Sequence, residues 1–326
     1  PGDVEVLLHA TTVATNAILQ RQGAKTALLT TEGFRDILIL GRQKRHETYD
    51  LYFRKPIPLA KRQNIYEVPE RIDASGEIVT ALSLEGIDRV VKEFISQGIE
   101  SVAIVFLHSY ANSSHERATL RYIEDKLPKL SISASYNVSP RIREYERTST
   151  TVANAFVKPI VMRYLDGLET ALQNQGFRAP LHVMQSNGGL VTPAIAREYP
   201  VRIVESGPAA GVLLASNIGR LQKTEHVITF DMGGTTAKLG VIDDGEPVIT
   251  SSFEVDTIDE SLNKDEVFGT VEAVKTVSDL FLPLTSEIIE FNEDLEQNPE
   301  LVNEDPYGKG WIIKIIFSNQ SEIDGL

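Results

Sequence analysis

No cysteine occurs in this 326-residue sequence, so disulfides, thiol nucleophiles and thiolate metal sites are excluded, which fits a reducing compartment. Long hydrophobic runs are also missing. The longest, such as residues 102–107, are far too short to cross a bilayer, and the chain opens at Pro1 without a basic and apolar leader. The expectation is a cytoplasmic protein that engages no membrane. Positive charge thins out along the chain: no arginine follows Arg220 and no histidine follows His226. Residues 257–326 hold 16 acids and four lysines, net −12, which leaves only −2 of the total −14 for everything before them. A break of that size argues for a separate module starting near residue 257. The 42% hydrophobic content is enough for a normal core, and the length suggests about two domains.

Before residue 257, strand and helix signals alternate, the signature of an α/β fold. Residues 4–8 read as a strand. ATTVATNAILQRQG then reads as a helix with threonines at its start and Gly23 as its stop. Residues 25–30 and 102–107 read as buried strands, and 84–97 as an amphipathic helix with Ile87, Val90, Val91, Phe94 and Ile95 on one face. A long helix follows Arg143, with a kink expected at Pro159. Arg42, Lys44, Arg45, Arg54, Lys55, Lys61 and Arg62 interleave with Tyr49, Tyr52 and Phe53. A solvated loop packed by its aromatics fits better than a nucleic-acid surface, because the surrounding region is near neutral. His108 and His115 read as a strand-end and a helix-start histidine rather than as a metal pair.

The stretch VITFDMGGTTAKL, residues 227–239, has the build of a phosphate grip. Val227, Ile228 and Phe230 form a buried strand ending in Asp231; Gly233 and Gly234 permit a tight turn with free backbone N–H groups, and Thr235 and Thr236 add hydroxyls. A second strand follows directly, so these glycines join strand to strand, whereas a Rossmann or Walker loop opens a helix. Alone, DMGGTT reads equally as a glycine hairpin capped by an acid. Three further clusters lie upstream. Thr11, Thr12, Thr15 and Asn16 crowd the first turn of one helix, more than capping needs. Ser186, Asn187, Gly188 and Gly189 turn at a strand's carboxyl end. In ESGPAAG, Pro208 suits the first position of a helix running to Gly219, and Gly207, Ala209 and Ala210 leave its amides open, either for a nucleotide or for tight packing.

HATTVATNAIL, TTEGFRDILILGRQ, REYERTSTTVANAFV, MQSNGG, ESGPAAG and ITFDMGGTTAK, in this order, resemble the hydantoinase A and 5-oxoprolinase family over residues 1 to about 256. The resemblance implies an actin-like (ribonuclease H-like) α/β ATPase fold, with residues 1–142 as an N-terminal region and 143–256 as the start of the core. It implies ATP and Mg2+ as cofactors, opening of a cyclic amide ring through a phosphorylated intermediate, and a hydantoinase B-type partner subunit. Asp231 would be catalytic and near the metal. Gly233, Gly234, Thr235 and Thr236 would form the second phosphate loop, Gly207, Ala209 and Gly211 would follow the nucleotide, and Thr11, Thr12, Asn16 and Asn187 would line the cleft towards substrate. The family's first phosphate loop precedes the position matching Pro1, and its core continues beyond Asp256. A truncated domain with weak ATP binding is therefore expected.

From residue 265 to 326 the sequence resembles the second half of the glycine cleavage system H protein, joined through 257–264. This implies a partial lipoyl-carrier module of the barrel-sandwich hybrid type, with lipoate on Lys275, three residues after Glu272, and glycine cleavage enzymes as partners. Three functions stay open on these grounds: an ATP-dependent cyclic-amide hydrolase, a lipoyl carrier, and a fusion of two fragments that performs neither task.

Overall fold

The computed structural model divides into two compact units, Pro1–Ile258 and Asp259–Leu326. It describes residues 4–42, 55, 57–232 and 237–248 of the first, and 267–273, 276–281, 286–292, 301, 308–309, 311 and 313–317 of the second.

Unit 1 begins β1 (Leu7–His9), α1 (Val13–Leu19), β2 (Thr26–Thr31), α2 (Ile37–Leu40), β3 (Ile65–Val68), β4 (Arg71–Ile72), β5 (Ile78–Thr80), α3 (Leu84–Gln97), β6 (Ser101–Val105), α4 (Ser114–Lys126) and β7 (Ser131–Ala134). It continues α5 (Ser135–Val138), α6 (Glu144–Asn174), β8 (Leu181–Met184), β9 (Leu190–Val191), α7 (Pro193–Glu198), α8 (Ser206–Gln222), β10 (Val227–Met232), β11 (Ala237–Asp243) and β12 (Glu246–Pro247). A four-stranded sheet runs β3-β2-β6-β7 with every pair parallel. Each residue of β2 and β6 is buried, because the sheet is covered on both faces. Ile87, Val90, Val91 and Phe94 of α3 and Ile123 of α4 fill one side. Val152 and Ala155 of α6 fill the other.

The sequence signals of α3 are met almost in full. Ser83 caps it by accepting the Gly86 N–H at 3.1 Å, and Gly98 ends it at φ +62°. Ile95 is the exception: it is 65% exposed, since Phe94 takes the position over the sheet. Helix α6 continues through Pro159 and also packs on α1 and α7. Its Lys158 donates to the Ile132 carbonyl (2.9 Å) and to Glu198 (2.8 Å), and Asn154 donates to Ser133 Oγ (3.0 Å) and the Glu198 carbonyl (3.2 Å). The helix is thus pinned to β7 and to the end of α7. His115 is buried with Nδ1 2.7 Å from Glu70, while His108 reaches the Tyr110 hydroxyl at 3.0 Å, so the two histidines have separate partners. In the basic segment, whose residues 43–54 and 56 lie outside the described residues, Arg42 pairs with Glu146, Lys55 binds the Ile39 and Leu40 carbonyls (3.1 Å each) and Arg62 grips Asp36.

Where α1 turns into β2 the chain passes close to α6. A Cβ on Gly23 would sit 2.1 Å from the Phe156 ring. Gly23→Ala is therefore expected to cost about 1–3 kcal/mol of stability, read from the urea midpoint, because the buried Phe156 ring would have to shift to admit the methyl group.

A second sheet pairs β1 parallel to β8, with β9 antiparallel beside it. A third, β10-β11-β12, is antiparallel throughout. Among its described residues unit 2 holds two antiparallel pairs, β13 (Val267–Ala273) with β14 (Thr276–Phe281), and β15 (Ser286–Phe291) with β16 (Ile313–Phe317).

Candidate functional site

The carboxyl ends of β1 and β8 lie side by side, with His9 opposite Val183, and each leads into one of the motifs. Beyond β1 the chain enters α1. Beyond β8 it turns: Gln185 N–H donates to the Gly189 carbonyl (2.7 Å), Asn187 Oδ1 accepts the Gly189 N–H (3.0 Å), and Gly188 takes φ +83°. Only glycine suits position 188, because a Cβ would also lie 2.7 Å from Leu213 Cδ1 of α8. Ser186 ties the turn down by donating to the Arg202 and Val204 carbonyls.

Helix α8 is welded to α1 at its first turn. The buried Ser206 hydroxyl accepts the Thr11 N–H (3.2 Å) and donates to the Thr11 carbonyl (3.1 Å), and the Glu205 N–H donates to Thr15 Oγ1 (2.9 Å). Thr11 and Thr15 are therefore buried parts of the joint. Thr12 stays exposed and accepts from Asn16 Nδ2 at 3.3 Å, with its methyl 3.5 Å from where a Cβ on Gly207 would be. Pro208 falls at the third helical position rather than the first, and α8 runs on to Gln222 through Gly219. The proline is tolerated because the first four N–H groups of a helix have no internal acceptor. The residue before α8, Glu205, is a non-glycine held at φ +62°, a conformation that costs on the order of 1–3 kcal/mol and is kept by the Thr15 bond and an ion pair with Lys238.

That ion pair comes from the hairpin. In the β10–β11 register Thr229 faces Gly240 and Asp231 faces Lys238, so these four share one side of the sheet. This side packs on α8. A Cβ on Gly240 would lie 2.3 Å from Val212 Cγ2, so only the bare glycine lets helix and hairpin meet. A cavity of about 310 Å3 remains beside the contact, lined by Pro208, Gly211 and Val212 of α8 and by Asp231 and Lys238 of the hairpin. Asp231 is exposed at the strand end, and Lys238 and Glu205 are 19% and 16% exposed. The opposite side of β10 departs from expectation: Ile228 is 74% and Phe230 64% exposed, because no layer of unit 1 covers that face among the described residues.

Of the candidate residues, Gly207 and Ala209 stand in the first turn of α8, Gly211 and Asp231 border the cavity, and Thr12, Asn16 and Asn187 lie at the β1 and β8 ends. Gly233, Gly234, Thr235 and Thr236, which separate β10 from β11, and Lys275, between β13 and β14, fall outside the described residues. Lys238 and Glu205 do not stand out in the sequence as site residues. A signal for the lysine exists in the hairpin itself: a four-residue connection between Met232 and Ala237 forces Asp231 and Lys238 into the same rung.

Residues 1–127 match the family described as the hydantoinase/oxoprolinase N-terminal region, and residues 147–277 match the one described as hydantoinase/oxoprolinase. Over this stretch the chain belongs to the hydantoinase/oxoprolinase family. Residues 233–326 match the glycine cleavage H-protein family, so the last two matches overlap across 233–277. The chain is 43% identical over 255 residues to an uncharacterized protein of Methanocaldococcus jannaschii, covering 77% of this chain and 38% of that protein. It is 35% identical to caprolactamase subunit alpha of Pseudomonas jessenii (72% and 34% covered) and 31% identical to 5-oxoprolinase of Saccharomyces cerevisiae (75% and 21%). It thus spans well under half the length of these relatives. The crystal structure of ATP-dependent caprolactamase from Pseudomonas jessenii superposes with a TM-score of 0.66 at 32% identity, over 73% of this chain and 35% of that one. Nucleotide-free acetone carboxylase shares the fold at a TM-score of 0.69 and 24% identity, over 94% of this chain and 41% of that one.

Proposed function

We propose that unit 1 binds MgATP against the β10–β11 hairpin and the start of α8, and that it serves the ATP-dependent opening of a cyclic amide. The observation that carries this reading is the placement of Asp231 at a strand end beside the small-residue first turns of α8, within a chain of the hydantoinase/oxoprolinase family. An actin-like clamp is the architecture such a cleft belongs to. In the first turn of α8 the Ser206 and Gly207 N–H groups have no acceptor within the helix, while Pro208 has none to give and the Ala209 N–H donates to the Glu205 carbonyl (3.2 Å). The helix dipole there favours phosphate oxygens, and Gly207, Ala209 and Gly211 would let the nucleotide approach the helix backbone. A magnesium ion fits a site with one exposed carboxylate, because it takes most of its ligands from phosphates and water. Asp231 is the carboxylate that would hold it, and the ion would neutralise charge on the transferring phosphoryl group.

The chemistry follows from the weakness of an amide as an electrophile. The amide oxygen attacks the γ-phosphorus, the bond to the β-phosphate oxygen breaks, and ADP leaves. A first water adds to the imidate carbon and the ring C–N bond opens, leaving an acyl phosphate with a free amine. A second water hydrolyses the acyl phosphate, so cyclic amide, ATP and two waters yield the amino acid, ADP and phosphate. Thr12, Asn16 and Asn187 would orient the ring at the β1 and β8 ends, with a hydantoinase B-type subunit completing the site. Caprolactamase and 5-oxoprolinase among the relatives favour a lactam as substrate. Calorimetric titration with ATP tests the first step: binding that disappears when EDTA removes magnesium is expected, and equal binding without magnesium would remove Asp231 from its role as metal ligand.

The match of residues 233–326 to the glycine cleavage H-protein favours a second role for unit 2, as a lipoyl carrier through Lys275. The β13–β14 pair closes at Ala273 opposite Thr276, which brackets Lys275 between two strands. Intact mass measured after co-expression with a lipoate ligase is expected to show one lipoyl adduct, lost in Lys275→Arg. An unmodified parent chain would exclude the carrier role.

A further inference from the structure

Resting on the nucleotide reading above, we infer that Lys238 is a phosphate-binding cation of the cleft and that Glu205 is the counter-ion that holds its place until the nucleotide arrives. Lys238 lines the cavity from the rung it shares with Asp231, so acid and base stand across from each other on the side that faces α8. Its ammonium is spent on the Glu205 carboxylate, and both side chains are largely withdrawn from water. A lone lysine there would be an uncompensated charge in a poorly solvated position; a partner keeps it ionised and aimed.

Glu205 is a poor permanent ligand and a good temporary one. It sits outside the helix at φ +62°, tethered through its own N–H to Thr15, and it directly precedes the turn whose amides would receive phosphate. Its negative charge lies where a polyphosphate would bring several more, so the two compete for the same cation. An incoming phosphate oxygen takes Lys238 and leaves Glu205 free to turn to solvent.

The two substitutions therefore act in opposite directions. Lys238→Met is expected to weaken ATP binding at least tenfold, and Lys238→Arg to stay within about threefold of the parent, since it keeps the charge. Glu205→Gln is expected to tighten ATP binding several-fold, because it removes the competing charge and preserves shape. Adenosine, which carries no phosphate, should bind all four proteins alike. Calorimetry with ATP and with adenosine, beside far-ultraviolet dichroism to confirm folding, reads every arm. Weaker ATP binding in Glu205→Gln, or a Lys238→Met variant within twofold of the parent, overturns the inference while leaving the nucleotide site standing. Equal loss of ATP and adenosine binding in Lys238→Met shows a purely structural lysine and overturns it as well. Failure of the parent chain to bind ATP removes the nucleotide reading and this inference with it.

Discussion

Asp231→Asn is expected to lower the proposed ATP-dependent ring opening at least a hundredfold, a barrier increase of about 2.7 kcal/mol, with little change in the stability of the fold. The side chain is exposed at the end of β10 and supports no core packing, so exchanging oxygen for an amide nitrogen removes charge and almost nothing else. Charge is what the reaction needs at that point. Phosphoryl transfer asks the protein for little covalent chemistry and much electrostatic positioning, and the asparagine variant would take from the proposed metal site the charge of Asp231. The loss should fall on kcat more than on KM for the cyclic amide, because Thr12, Asn16 and Asn187, assigned to the ring, are untouched. Phosphate release and ring-opened product measured side by side for parent and variant check this. Turnover within about tenfold of the parent would show that the carboxylate is not central.

Much of unit 1 is legible in the sequence because its signals are local. Helix α3 carries its own cap, stripe and stop; Val102 to Val105 of β6 form an unbroken apolar run and β2 centres on Ala27, Leu28 and Leu29, which suits a sheet covered on both faces. The glycine connection between two strands is also readable, and the rung that pairs Asp231 with Lys238 follows from its length. What cannot be read depends on distant partners. The parallel pairing of β1 with β8 joins residues 7 and 181, and no periodicity in either stretch announces the other. The exposure of Ile228 and Phe230 reverses a sound local inference, since an apolar strand is buried only where a second layer exists to cover it. Thr11 likewise looks like a member of a polar cleft, and only the fold shows its bonds to Ser206 to be those of a joint. Charged residues in the core are the least legible of all, because Glu, Arg and Lys are surface residues by default and their burial depends on a specific set of partners.

Glu116 is the clearest of these, and Glu116→Ala is expected to destabilise the protein by about 3–5 kcal/mol. The carboxylate is fully buried between β6, β7 and α4. One oxygen accepts the Phe106 N–H at 2.8 Å and the Ser135 hydroxyl at 2.6 Å, and the other accepts the Tyr136 N–H at 2.9 Å. Arg147, also buried, donates to the Phe106 carbonyl at 2.8 Å, so Phe106 is held from both sides. Alanine would leave three donors without an acceptor inside the core, and it would deprive Arg147 of a balancing charge. Glu116→Gln should cost less, roughly 1–3 kcal/mol, because its oxygen can keep two of the three bonds while its amide faces the Tyr136 N–H. Burial pushes the Glu116 pKa above the ordinary 4.5, against the opposing pull of the hydrogen bonds from Ser135, Phe106 and Tyr136. A carboxyl whose folded pKa is raised binds its proton more tightly in the folded state. Its contribution is therefore fully present below 4.5 and declines as pH rises through the folded value. The stability gap between the parent and Glu116→Gln should accordingly narrow from a pH below 4.5 towards neutrality, as read from urea unfolding at the two pH values. A gap that widens instead would mean that the donors outweigh burial and that the buried group is more stable as the anion.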